Sequence, residues 1–561
     1  MLRPAPGGKN MTISTRSGRR RPRLAAPLLA LLLGAMTGIG MGADRGDQPG
    51  SWQLPAGHHV PAKMAMTLVH PRPEAPAWAY SRNAHPGIRW EIPIVVQGGA
   101  WPFRYVLVDD GGATGLAIGS ELARRIDRGF IVHERTPDYG LLHWENPLPG
   151  SYAIRLRVDD QDGNDIEVDI ALLVGSAGWV FVDADNGDDD NGDGSVSAPF
   201  RSIQRIHDGG QAYTDHRVYL SGVVPMDGNH PGGDLAINRS DYRHTPAVWV
   251  GRPGGNAVLE AYEGRISLTA PDFYLANLEH RHHIDFVQDH GNYIHMITAW
   301  GNTARVTMHD VNFSRFHGYP VNADLGNSSV IMFTDQGSPR NHVAIVNNTL
   351  SGDNGIFTST YQLHHSVIEN NRAVNARFVT ADPSTWAIFW IKRFNEFISV
   401  RGNEFRDGNE WGSPGNLSAA LGMDAARNIE FAYNTVHTPY DFADGRHGAI
   451  KLFTNSSQAS YTWTPETPVW LYRNSLRHRF NFEGNNLVNM PDANVVTERN
   501  VLAPRAWPSH RILLNIDNLD ADTYFDASMR LTGPARTAYL GRYGAEIAVP
   551  LGDLIFANGF D

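Results

Sequence analysis

Lysine is scarce in this chain of 561 residues, and its placement is legible for that reason. Four are present: Lys9, Lys63, Lys392 and Lys451. The last two each follow an isoleucine in a strand-like segment, Phe389-Trp390-Ile391-Lys392-Arg393 and Ala449-Ile450-Lys451-Leu452. A lysine cannot enter an apolar core and keep its charge, so both must face solvent or a groove. Counted back from asparagines that recur downstream, Asp335, Thr360, Lys392, Asp424 and Lys451 fall at equivalent places. That predicts one exterior stripe of amines, carboxylates and a hydroxyl. Such a set suits removal of a proton next to a carboxylate: one amine acts as base, and a second cation holds the charge that develops. His364 is a proton donor if it shares the groove.

Other residue types add to this picture. Trp386 and Trp390 flank the Lys392 strand, Trp411 follows it, and Tyr461 and Trp463 lie in an insertion after Lys451. Sugar rings stack on such faces, and exposed tryptophan is otherwise costly. Trp390, on a strand, reads equally as core; Trp463, in a loop, reads as a subsite. Histidines at 280, 282, 283, 290, 295, 364 and 365 read mainly as loop and turn residues, because adjacent histidines on a strand point to opposite faces. Asp189-Asp190-Asn191-Gly192-Asp193-Gly194 has the spacing of a calcium loop, although Phe200 stands where the last chelating Glu would be. Glycoside hydrolysis needs two carboxyl groups, and Asp335, Asp353, Glu369 and Asp424 are the candidates for that alternative.

The elements that must position these residues come from a repeated line. It reads Ile398-Ser-Val400-Arg-Gly-Asn403-Glu-Phe405, then Ile429-Glu-Phe431-Ala-Tyr-Asn434-Thr-Val436, then Val469-Trp-Leu471-Tyr-Arg-Asn474-Ser-Leu476. Val343–Leu350, Ser366–Ala373 and Val495–Leu502 fit with Asn348, Asn371 and Asn500. Alternation of period two is a strand signal. A strand-plus-turn unit recurring every few tens of residues is the mark of a solenoid, whose coils bury their apolar faces only against neighbours. The fixed Asn suits a left-handed turn position, and stacked copies predict a hydrogen-bonded ladder. The 56 Gly and 34 Pro disfavour long helices.

These repeats resemble the right-handed parallel β-helix of pectate-lyase-like proteins. So does the stretch Trp179-Val-Phe-Val-Asp183-Ala-Asp-Asn-Gly187, continuing to Pro199-Phe200-Arg-Ser-Ile203, which in that superfamily opens the solenoid and caps its end. The resemblance implies an all-β fold and hosts lyases, hydrolases and adhesins alike. For a lyase acting on a uronate-containing polysaccharide it implies Lys392 or Lys451 as base, Arg393 as carboxylate neutraliser, and Asp335 and Asp424 as calcium ligands or orienting groups. The alternative is a non-catalytic surface or glycan-binding solenoid.

The remaining boundaries follow from composition. Basic residues, the apolar run Leu24–Leu33 and small residues to Ala43 read as a signal peptide over 1–43, hence secretion. Residues 44–90 read as linker plus an entry strand. Alternating strands and the Asp162-Gly163 turn over 91–176 resemble a cadherin-like or immunoglobulin-like β-sandwich, expected to brace the solenoid's end or to bind carbohydrate. The β-helix spans 177–530 and a tail 531–561. No later stretch is long enough to cross a bilayer, and a monomer is expected. There is no cysteine, so stability must come from burial and backbone pairing. The formal charge of −11 argues against nucleic acid as partner.

Overall fold

The structure is a computed structural model. It describes residues 60–119 and 140–226 continuously, most of 235–437, and strands of the later coils as far as 520. The expected 1–43 leader and 531–561 tail lie outside the described residues.

The alternating segments stack as a parallel β-helix. Two sheets run its length, one of 22 strands and one of nine, and all their pairings are parallel. Each coil follows from its sequence. In Glu396–Arg401, Ile398 and Val400 point into a continuous apolar core and are fully buried, while Ser399 and Arg401 point outward. The chain then bends, and Glu404–Arg406 continues the same sheet at an angle, with Phe405 inside. Ala419–Asp424 then adds to the nine-stranded sheet, and the next coil begins.

The bend is held by the asparagines. Asn348, Asn371, Asn403, Asn434 and Asn474 are buried; Asn348 Oδ1 accepts from Val311 N at 3.0 Å, and each of the other four accepts at Oδ1 from the preceding Asn's backbone N–H and Nδ2–H, at 2.9–3.1 Å. Each Nδ2 also donates to a backbone carbonyl of a neighbouring coil, as Asn403 does to Ile368 O at 3.0 Å. The left-handed residue is the one before each Asn: Asn347, Asn370, Gly402 and Tyr433, with φ of 55 to 62°. The ladder Asn is therefore not the turn residue; it is the amide that ties successive turns together. At the solenoid's start, Phe200, Ile203 and Ile206, around the helix Gln204–Asp208, join the core beside Val180 and Val182.

Before the solenoid stands a small two-sheet module. Its four-stranded sheet comprises Asn83–Ala84, Asp165–Val174, Gly150–Asp159 and Arg104–Asp109; a second sheet comprises Trp90–Pro93, Leu141–Trp144 and Leu116–Ile118. The Asp162-Gly163 turn joins the two long strands as expected, with Gly163 at φ 85°. Where a linker is expected, residues 60–90 are ordered: Thr67–His70 pairs with Val95–Gln97, and Val60, Tyr80 and Ala84 sit in the core.

The module does not brace the solenoid's end. It lies along its flank, and its core is continuous with the outer face of the 22-stranded sheet, from Trp179, Tyr219 and Tyr274 to Tyr433 and Tyr472. A buried ionic cluster locks it there. The Arg401 guanidinium, with no exposed side-chain area, donates to Glu369 at 2.7 Å, to Gly98 O at 3.0 Å and to Val96 O. Glu430 lies 3.6 Å away and accepts from Ser399 and Tyr472 hydroxyls. Burial works against the Arg401 charge, yet the two glutamates hold its pKa above the ordinary value.

Removing Arg401 alone leaves two buried carboxylates without their cation. Arg401→Met should cost about 3–5 kcal/mol and loosen the module, read as a lower Tm and faster proteolysis between residues 60 and 176. Adding Glu369→Gln and Glu430→Gln should restore most of that loss. Equal stability of Arg401→Met and the unaltered protein would refute the lock.

Candidate functional site

The lysines lie on the nine-stranded sheet. Its register links Ser267, Thr298, Met332, Ser359, Trp390, Gly422 and Lys451 into one row across successive coils. The alternate row, Leu268, Ala299, Phe333, Ile391 and Met423, holds core residues. Two residues beyond the first row come Trp300, Thr334, Tyr361, Lys392 and Asp424, where the strands turn toward the next sheet. Backbone bonds carry the ladder this far: Trp300 N to Leu268 O at 2.7 Å, Thr334 N to Ala299 O at 3.0 Å, and Lys392 N to Thr360 O at 2.8 Å.

This edge row reaches solvent in part. Trp300, Tyr361 and Lys392 are each partly exposed. Lys392 Nζ lies 5.0 Å from the Tyr361 ring centre and 5.7 Å from that of Trp390. Toward the solenoid's start, the Arg265 guanidinium lies 5.9 Å from the Trp300 ring. Cations on aromatic faces thus recur along the row, a geometry that stabilises the charged form.

The expected stripe is shifted by one. Thr360 pairs with Ile391, not Lys392, and is fully buried on the core face. The corner between Thr360 and ladder Asn371 is one residue shorter than that between Ile391 and Asn403, so counting back from the asparagine misplaces it. Lys451 pairs with Gly422 and shares Trp390's row, one row from Lys392 and two coils away. Trp390 is only 5 % exposed, so its ring supports Lys392 from beneath and is no open stacking face. Arg393 is partly exposed and follows Lys392 into the corner, where its carbonyl accepts from Gln362 N at 3.0 Å. Asp424 ends its strand one place beyond the Ile391–Met423 pair. Asp335, Tyr461, Trp463, Trp386 and Trp411 lie outside the described residues.

The histidines differ from expectation. His280, His282 and His295 are buried strand residues, not exposed turns. His364 is half-buried around the corner, with Nε2 3.1 Å from Phe394 O, and burial lowers its pKa. It enters neutral, with that nitrogen already used. Glu369, one hydrolase candidate, is taken by Arg401.

The loop at 189–194 does not form a cation cage. Asp189 Oδ1 accepts from Arg201 N and Ser202 N at 2.8 and 3.1 Å, and Oδ2 from Ser202 Oγ at 2.7 Å. Asn191 donates to Asp188, and Asp193 accepts from Ser195 N at 2.9 Å. In the structure these side chains hold turns. Among the described residues no group of three His, Asp or Glu converges as metal ligands. Among them, too, no helix is long and apolar enough to cross a membrane.

Sequence reading missed Tyr361, Trp300 and Arg265, and took His295 for a loop or turn residue. The first two stand two places past their row, a spacing visible only once the register is known. His295 is fully buried, and Ser329 N donates to its Nδ1 at 3.1 Å. Burial, with the fields of Arg265 and Lys392, lowers its pKa to about 3.

This has a consequence for stability. Folded His295 stays neutral while the unfolded chain takes up a proton below about 6.5, so stability falls as pH drops from there toward 3. His295→Gln should remove about 1.4 kcal/mol per pH unit from the slope between pH 6 and 4, measured by urea denaturation. Identical slopes would show that His295 is charged in the folded state. No protein-family model matches the chain, and no curated protein matches it, so the site is read from its own geometry.

Proposed function

We propose that this is an exported polysaccharide-acting protein whose nine-stranded sheet binds a uronate-containing glycan and cleaves it by β-elimination. The observation that carries this reading is the Lys392 ammonium set on Tyr361 and Trp390 in a partly exposed row, with Lys451 in the adjoining row. Aromatic and cationic groups side by side suit a ring that bears both an apolar face and a carboxylate.

The roles divide by environment. Lys392, on two ring faces, is suited to remain a cation and to neutralise the uronate carboxylate. Lys451, two coils on and roughly 10 Å away along the axis, is the amine left to act as base. It takes the proton from the carbon next to the carboxylate, and the electron pair left there forms a carbon–carbon double bond. The glycosidic C–O bond at the neighbouring carbon breaks, and the departing oxygen takes a proton from water. Arg393 supports the carboxylate as the charge develops. Calcium is an expectation for this chemistry, with Asp335 and Asp424 as its candidate ligands, where it would help neutralise the uronate carboxylate.

Binding without cleavage is the second reading, favoured by the same aromatic contacts that hold Lys392 charged. Incubation with alginate, pectate and glycosaminoglycans, with and without calcium, separates the two through the ultraviolet absorbance of the unsaturated product. We expect Lys451→Ala to lower kcat by about 10²–10⁴-fold with little change in glycan affinity. Lys392→Ala should lower kcat/KM by about 10²–10³-fold, with partial recovery in Lys392→Arg. Retained binding with no product from any glycan would leave the non-catalytic reading; neither binding nor product would remove both.

A further inference from the structure

A cleft of about 660 Å³ opens between the module and the first coils, away from the lysine rows. Its floor is the bend of the 22-stranded sheet, where Asn277, Asp310 and Asn347 occupy the left-handed position of three successive coils, at φ 58, 53 and 55°. Later coils place Asn370, Gly402 and Tyr433 at the same bend. There the module's Trp101 closes the row: its ring is 4.5 Å from that of Tyr433, and a side chain on Gly402 would meet its indole within 3.6 Å. The row is thus capped at one end and left open at the other.

The open end carries a cation in a built position. Arg252 follows Gly251, which must be glycine because a Cβ there would lie 1.9 Å from Asn277 O. That close approach fixes the turn and sets the Arg252 guanidinium 5.8 Å from the Phe181 ring. The cleft's other arginine, Arg89, is already neutralised by Glu91 at 2.8 Å and Glu145 at 3.1 Å. Among the described residues Arg252 forms no ion pair with a carboxylate. Glu279 and Asp310 also line the cleft, and their charge disfavours a phosphate dianion while tolerating a single negative charge on Arg252. The amide and carboxylate row, rising about 4.8 Å per coil, offers paired donors and acceptors to a ligand rich in hydroxyls.

We propose that this cleft is a second carbohydrate site, taking a short acidic oligosaccharide with its carboxylate on Arg252 and its hydroxyls on the turns at 277, 310 and 347. The volume suits two or three sugar rings. Because the module supplies Arg89 and Leu141 to the walls, docking completes the site. The proposal does not rest on the function assigned to the lysine face.

The test uses the full chain carrying Lys392→Ala and Lys451→Ala, so that the lysine face is silent. Digalacturonate, and lactose as a neutral disaccharide, are titrated by calorimetry. We expect one digalacturonate site, at least tenfold weaker binding of lactose, and at least a tenfold loss of digalacturonate affinity on adding Arg252→Ala. Arg252→Lys, with an unchanged Tm, should keep part of the affinity and so separate lost charge from lost folding. No binding by the Lys392→Ala, Lys451→Ala protein, equal affinity for the two sugars, or indifference to Arg252→Ala would each overturn the proposal.

Discussion

Register is the constraint on which everything else depends, and the asparagine ladder enforces it. A parallel pair of strands can slip by a residue at modest cost where one face is polar, and a slip of one sends every side chain to the opposite face. Here slippage would strip each buried Asn of its Oδ1 contacts and its carbonyl partner together. An unsatisfied buried polar group costs about 1–3 kcal/mol, and slipping one coil would orphan several at once. The ladder therefore fixes which residues of each coil look outward. Within the laddered coils, the row that brings Lys392 onto Tyr361 is a consequence of it.

The flank-mounted module shows a second use of buried polarity. A purely apolar interface along a solenoid would tolerate sliding by one coil, because successive coils present similar surfaces. The Arg401 cluster removes that freedom. Its guanidinium meets two backbone carbonyls of the module and a carboxylate from each neighbouring coil, so only one axial position satisfies all of them. Burying such a cluster is no clear gain in stability over apolar packing, and its benefit here lies in specifying position. Trp101 and Tyr433 fix the same placement, with the tyrosine hydroxyl donating to Trp101 O at 2.9 Å.

The solenoid was legible in the sequence because its signal is local and repeated: alternating apolar residues and an Asn at a fixed offset. The module's strands and the Asp162-Gly163 turn were legible for the same reason. What was hidden depends on packing between distant parts of the chain. Nothing in the spacing of Ser399 and Arg401 says that they face another domain and not water. The same holds for Val60 and Tyr80, whose segment reads as linker until the solenoid's aromatic residues are placed against it. Thr360 illustrates the limit within a coil: corners between sheets vary by one residue, so offsets counted across a corner lose the parity that counting along a strand preserves. Lys392 and Lys451 were found because they are rare, but their rows could not be.

Elimination among the solenoid's faces points the same way as the site itself. Each coil has three. The outer face of the strands before the ladder Asn is covered by the module. The face of the strands after it carries charges that satisfy one another: Glu260 takes Arg281 at 2.7 Å and Arg315 at 3.1 Å, Glu279 takes Ser314, and Arg372 faces Glu404 at 3.5 Å. A ligand there would have to displace pairs already made, and such displacement offsets much of what it gains. On the nine-stranded sheet the described cations rest on aromatic rings. A cation–π contact stabilises a charge without neutralising it, which is what the proposed reading asks of Lys392. Arg217 on Trp179 and Arg401 on Phe103 make the same kind of contact on the module-covered face, but both are buried there, so of the three faces the nine-stranded sheet best supports the proposed glycan reading.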